Sequence, residues 1–133
     1  MPETRTGACL CGAIHFSVTG PVEPPMACHC RECQRQTGSH WVAITAPRAA
    51  VEIIGEPAWI SISRRARRGF CPRCGGFLFW EPVDGATIDI GFGNLDAAAG
   101  LAFAGHLWCD EARLPLPDDG TPRYPKGRPK IDD

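Results

Sequence analysis

The chain has 133 residues, enough for one domain and too few for two of ordinary size. Its 44% hydrophobic and 22% charged content excludes the disordered and collagen-like classes. A net charge of −1, from 14 Lys and Arg against 15 Asp and Glu, gives no global attraction to nucleic acid or acidic membranes. No apolar run approaches the ~20 residues of a membrane span. The opening MPETRTGAC carries no apolar signal region. A cytoplasmic protein without a membrane partner is expected.

Taken in chain order, residues 1–6 have no pattern and read as a loose arm. From Ala13 to Thr19 apolar Ile14, Phe16 and Val18 alternate with polar neighbours, a half-buried strand. Pro21, Pro24 and Pro25 force an extended connection up to Cys28. Arg31 to Thr37 fits a short helical turn ended by Gly38. Trp41–Thr45, Val51–Ile54 and Trp59–Ser63 read as strands, with Gly55-Glu56-Pro57 as a turn. Further strands are predicted over Phe77–Trp80, Thr87–Phe92 and Leu101–Trp108, with Asp84-Gly85 turning the first pair. The tail from Pro115 reads as an irregular strap with a frayed end. With 15 Gly, 13 Pro, no sustained helical period, no repeat and no linker, the chain reads as one all-β domain with little helix.

Seven of the eight cysteines fall into three motifs: Cys9-x-Cys11, Cys28-His29-Cys30-x-x-Cys33 and Cys71-x-x-Cys74-Gly75. In a reducing compartment such clusters hold metal in preference to forming disulfides. A C-x-x-C followed by Gly is a metal knuckle, and thiolate sets suit zinc. Seven thiols divide most economically as four plus three. Cys9, Cys11, Cys71 and Cys74 would close a structural site, and Cys28, Cys30 and Cys33 would leave one ligand position open, the catalytic pattern. Spacing alone also permits Cys28, Cys30 and Cys33 to share a cysteine of the 71–74 knuckle.

These motifs resemble the glutathione-dependent formaldehyde-activating enzymes, also called the centromere-protein-V family. The likeness rests on Gly7, Cys9, Cys11 and Gly12; on C-H-C-x-x-C with Thr37, Gly38 and Ser39; and on Arg68 to Gly75. It continues through Thr87 to Asp96, His106 to Trp108 and Pro122 to Pro125. The resemblance implies a β-tent fold of short antiparallel sheets with zinc knuckles, one zinc-binding domain over 1–133 with its core at about 7–125. It implies two zinc ions per chain, one structural on Cys9, Cys11, Cys71 and Cys74, one functional on Cys28, Cys30 and Cys33. The implied activity is that of a carbon–sulfur lyase, the reversible addition of the thiol of glutathione, the co-substrate, to formaldehyde, giving S-(hydroxymethyl)glutathione. Gly38, Ser39 and Arg68 are the candidates for contact with that co-substrate.

Other residues carry plainer readings. Arg64, Arg65, Arg67 and Arg68 form the one basic run; guanidinium groups could clamp glutathione carboxylates or meet phosphates. With both metal sites closed, Cys109 or His29 completing the second, the same run would instead serve a non-catalytic zinc-stabilised module binding protein or nucleic acid. His29 lies between two ligands and points away from them. His106 reads as a satisfied, partly buried residue, Cys109 as a small buried one. Trp41, Trp59, Trp80 and Trp108 read as core, and Asp89 and Asp96 as strand-edge or turn residues. Whether the chain pairs as a homodimer is not encoded in these motifs.

Overall fold

In the computed structural model, which describes residues 3–128, ten strands form two sheets. The smaller holds β1 (Thr4–Ala8), β2 (His15–Thr19) and β5 (Val51–Ile54) in the order β1-β2-β5, all antiparallel. The larger is built from β3 (Glu23–Cys28), β4 (Trp41–Pro47), β6 (Ala58–Ile60), β7 (Ala66–Phe70), β8 (Phe77–Pro82), β9 (Thr87–Gly91) and β10 (His106–Leu107). Its order is β10-β3-β4-β9-β8-β7-β6, antiparallel except where β10 runs parallel to β3. The one α-helix among the described residues, α1 (Arg31–Thr37), connects β3 to β4 and ends at Gly38, whose φ of 100° admits the left-handed turn. The expected mostly-β architecture with little helix is present.

The alternation in the sequence explains the core. Ile14, Phe16 and Val18 from the small sheet meet Ile44, Ala46, Ile88, Ile90, Leu78 and Phe79 of the large one in a single buried cluster. Phe16 and Phe79 meet edge to face across the two sheets at 5.6 Å. Each large side chain so buried contributes roughly 1.5–3 kcal/mol.

Five expectations are corrected. The arm at 1–6 is in its described part the start of β1, because Thr4, Arg5 and Thr6 pair with Thr19, Val18 and Ser17. The proline-rich connection is itself β3; its register shifts between Glu23 and Met26, so Pro24 and Pro25 sit at an irregularity. The basic run contains β7, which pairs with both β6 and β8. The strand expected over Leu101–Trp108 shrinks to His106–Leu107, and that over Trp59–Ser63 to Ala58–Ile60. The strap from Pro115 is held: Tyr124 N–H donates to the carbonyl of His106, and His106 N–H to that of Pro122. Its expected frayed end lies outside the described residues.

Candidate functional site

The first cysteine cluster joins two distant turns. Cys9 and Cys11 sit in the turn after β1, and Cys71 and Cys74 in the turn after β7. Gly75 N–H donates to the Cys71 carbonyl at 2.7 Å, and the φ of 77° at Gly75 bends the knuckle back. The peptide N–H groups of Ile14 and Cys74 point at the sulfurs of Cys9 and Cys71, both at 3.4 Å. All four sulfurs lie within 4.8 Å of one another, and the Cys9–Cys11 and Cys11–Cys71 separations are both 3.7 Å. Four thiolates at ~2.3 Å around one tetrahedral ion stand about 3.8 Å apart, so this donor set fits zinc. The N–H groups of Gly76 and Cys11 hold Cys74 down at about 6, within reach of the thiolate form.

The second cluster stands where β3 passes into α1. Cys28 ends the strand, Cys30 caps the helix and Cys33 lies in its first turn; their sulfurs also fall within 4.8 Å of one another. The thiol of Cys30 accepts the N–H of Cys33 at 3.4 Å. Hydrogen bonds from the Cys28 and Cys33 thiols, that N–H and the Arg68 charge make Cys30 the first of the three to ionise. Cys28, as the donor to Cys30, is held up. Three thiols with no fourth protein ligand suit an ion with one exchangeable position. Arg68, buried on β7, reaches across to this helix: it binds Glu32 at 3.0 Å and Gln36 at 2.9 Å, and lies 3.8 Å from the Cys33 sulfur. Three thiolates against a dication leave one excess negative charge, which this guanidinium faces.

Strand register fixes which side chains share the space in front of the cluster. Directly opposed residues of an antiparallel pair lie on one face. The row Glu23–Thr45–Asp89–Trp80–Arg68 therefore runs across β3, β4, β9, β8 and β7 on the face opposite the core, and Cys28 opposite Trp41 adds to it. Together with α1 and the residues around Trp108, this face encloses a cavity of about 650 Å³, within the usual range for small-molecule sites. Cys28, Cys30 and Cys33 open into it; Cys9, Cys11, Cys71 and Cys74 do not line it. Gly38 and Ser39 lie at the end of α1 outside the lining, where the Ser39 hydroxyl is 3.1 Å from His40 Nδ1. Arg65 of the basic run and Asp89, read from sequence as a strand-edge or turn residue, both line the cavity. Only the pairing of β9 with β4 and β8 could have exposed the second.

Behind the cluster runs a buried polar line. His29 Nε2 is 2.9 Å from His106 Nδ1, and His106 Nε2 is 2.8 Å from an oxygen of Asp119. Since the carboxylate is the acceptor, His106 donates to it through Nε2, and its Nδ1 shares a hydrogen bond with His29. His29 thus faces away from the neighbouring thiols, as its position between them predicts. Burial, with His40 and His106 nearby, lowers His29 to about 4. The thiol of Cys109 donates to the His106 carbonyl at 3.6 Å and belongs to neither cluster.

A mostly-β chain with one four-thiol cluster and a second three-thiol cluster facing a cavity defines a class of cysteine-rich, zinc-competent proteins. Within that class the chain belongs to the glutathione-dependent formaldehyde-activating enzyme family, whose model matches residues 4–111. Among solved structures it is similar to the crystal structure of a Rhodobacter sphaeroides protein at 19% identity and a TM-score of 0.58. That likeness covers 74% of this chain and 99% of the other, and speaks for the fold. Among the described residues no helix is long and apolar enough to cross a membrane.

Proposed function

We propose that the chain is a zinc-dependent carbon–sulfur lyase that adds the thiol of glutathione reversibly to formaldehyde and releases it again. The observation that carries this reading is the contrast between the clusters: four thiols that close on themselves and three that open into a cavity. The shared core of the two sheets supports treating the chain as one domain. In this reading Cys9, Cys11, Cys71 and Cys74 hold a structural zinc, and Cys28, Cys30 and Cys33 hold the functional one.

When bound, zinc favours the thiolate form of a thiol and polarises an aldehyde oxygen. The protein's own part is positioning and charge. Arg68 fixes α1 and with it the sulfur of Cys33, and its charge offsets the excess of the thiolates. Arg65 faces the cavity without an ion-pair partner among the described residues, and its planar fork suits a carboxylate of the tripeptide. Trp41, Trp80 and Trp108 wall the cavity against water. Gly38 and Ser39 contribute by ending α1, and the small thiol is the partner this cavity serves.

The nucleic-acid alternative is less favoured, because two of the four arginines of the run are already paired, Arg67 with Glu81 and Arg68 with Glu32. The test is exchange NMR of glutathione with formaldehyde. The zinc-loaded protein is expected to speed interconversion with S-(hydroxymethyl)glutathione. Unchanged exchange with both sites metallated contradicts the reading.

A further inference from the structure

Asp89 is a carboxylate in the cavity that the reading above leaves without a task. It stands on an inner strand of the seven-stranded sheet, between β4 and β8, where an ionisable residue is a poor choice for stability. Its side chain lies on the row that faces the cavity, with Thr45 on one side and Trp80 on the other. Thr45 donates to its Oδ1 at 2.6 Å, and among the described residues no Arg or Lys is bonded to it. The second oxygen is left for a molecule in the cavity, into which the three thiols also open.

We propose that Asp89 is a catalytic proton carrier, giving a proton to the carbonyl oxygen as the carbon–sulfur bond forms and taking it back as that bond breaks. The proposal rests on the lyase reading and deepens it. In the forward direction the thiol gives up its proton and the sulfur electron pair forms the C–S bond. The carbonyl π pair moves to oxygen, which takes the proton of the Asp89 carboxyl. The proton lost by the thiol restores that carboxyl, and nothing is oxidised or reduced. In reverse, the carboxylate takes the hydroxyl proton while the C–S pair returns to sulfur.

The surroundings suit such a carrier. Burial raises Asp89 to about 6; the Thr45 hydrogen bond and Arg128 oppose the rise, and Glu23 reinforces it. The charged groups facing it are Glu23 from β3, Arg128 from the C-terminal segment, Arg68 beyond Trp80 on β7, and Arg31, Glu32, Arg65 and Glu111 around the cavity. A group that titrates close to neutrality can both give and take a proton there.

The experiment compares zinc-loaded wild type, Asp89→Asn and Asp89→Glu with S-(hydroxymethyl)glutathione as substrate, and S-methylglutathione as a binding probe. Breakdown by wild type is expected to rise as pH passes about 6 and then level. Asp89→Asn, which can still accept from Thr45, should lose about 100-fold or more in kcat, lose that pH limb and keep the probe's Kd. Asp89→Glu should regain part of the rate and the limb. Full activity in Asp89→Asn, or a loss confined to probe binding with the limb retained, overturns the proposal while the lyase reading stands. A wild type that does not break down the adduct overturns both.

Discussion

The sulfurs of Cys11 and Cys71 stand 3.7 Å apart although 60 positions separate them in the chain. A contact of that span costs much chain entropy, and thiols alone give little in return. An ion held there would join the turn after β1 to the turn after β7, and its binding free energy would become folding free energy.

Cys71→Ala should therefore abolish cooperative melting, since structural zinc contributes on the order of 10 kcal/mol, comparable with the whole stability of a domain. Cys30→Ala should keep a cooperative melt, with the bound zinc halved and activity lost. Circular-dichroism melts with metal analysis check both. Equal collapse of the two variants would contradict the division into a structural and a functional site.

Asp89 carries a stability prediction with a definite sign. Its pKa is raised on folding from 3.8 to about 6, so folding favours the neutral acid. Its contribution is present in full below pH 3.8 and is lost as pH rises through about 6. Asp89→Asn should match wild type near pH 4 and melt higher than wild type above pH about 6. Melting temperatures across that range give the result without any substrate.

His106 joins three segments, bonding to His29, to Asp119 and through its backbone to Pro122 and Tyr124. His106→Ala leaves the buried His29 and Asp119 without their ring partner while the backbone bonds to Pro122 and Tyr124 remain, at a cost of about 1–3 kcal/mol in urea unfolding. Amide exchange at Tyr124, whose bond to the backbone carbonyl of residue 106 survives, should change little in the same variant.

Hydrogen bonds from Thr121 and His106 hold Asp119 well below the usual carboxylate range. That lowered pKa stabilises the fold above pH 3.8 and ceases to do so as pH falls below it. Asp119→Asn should be less stable than wild type at neutral pH and approach it in acid. Denaturation midpoints at the two ends of the range check the sign.

Glu81 is buried on the far side of the sheet from the cavity, bonded to Arg48 at 3.2 Å and Arg67 at 3.1 Å. Glu81→Leu removes the shared acceptor of two half-exposed arginines. A destabilisation of about 2 kcal/mol is expected, below the 3–5 of a fully buried pair. Thiol binding in the cavity should be unchanged in calorimetry.

Sequence reveals what local chemistry repeats. Ile14, Phe16 and Val18 announce β2 by alternation, and the three cysteine motifs announce their clusters by spacing. β7 is hidden because the run Arg64 to Arg68 reads as a basic patch and not as a strand, whereas Arg67 lies over the ring of Trp59 at 3.8 Å and Arg68 is buried against α1. The alternation of Leu101 to Trp108 misleads for the opposite reason. Only His106 and Leu107 find a partner strand, and the rest packs as irregular chain. Asp89 reads as an edge residue because the Asp84-Gly85 turn places only β8, with Trp80, beside β9, whereas β4, which supplies Thr45, is distant in sequence.

The central claim is that the three-thiol cluster and its cavity receive a free thiol. Its most direct test is calorimetric titration of glutathione, against S-methylglutathione, into the zinc-loaded protein and into Cys30→Ala. Tighter binding of glutathione than of its methylated form, with the preference gone in Cys30→Ala, is the predicted result. Equal binding of the two ligands, or binding of neither with both sites metallated, would contradict it.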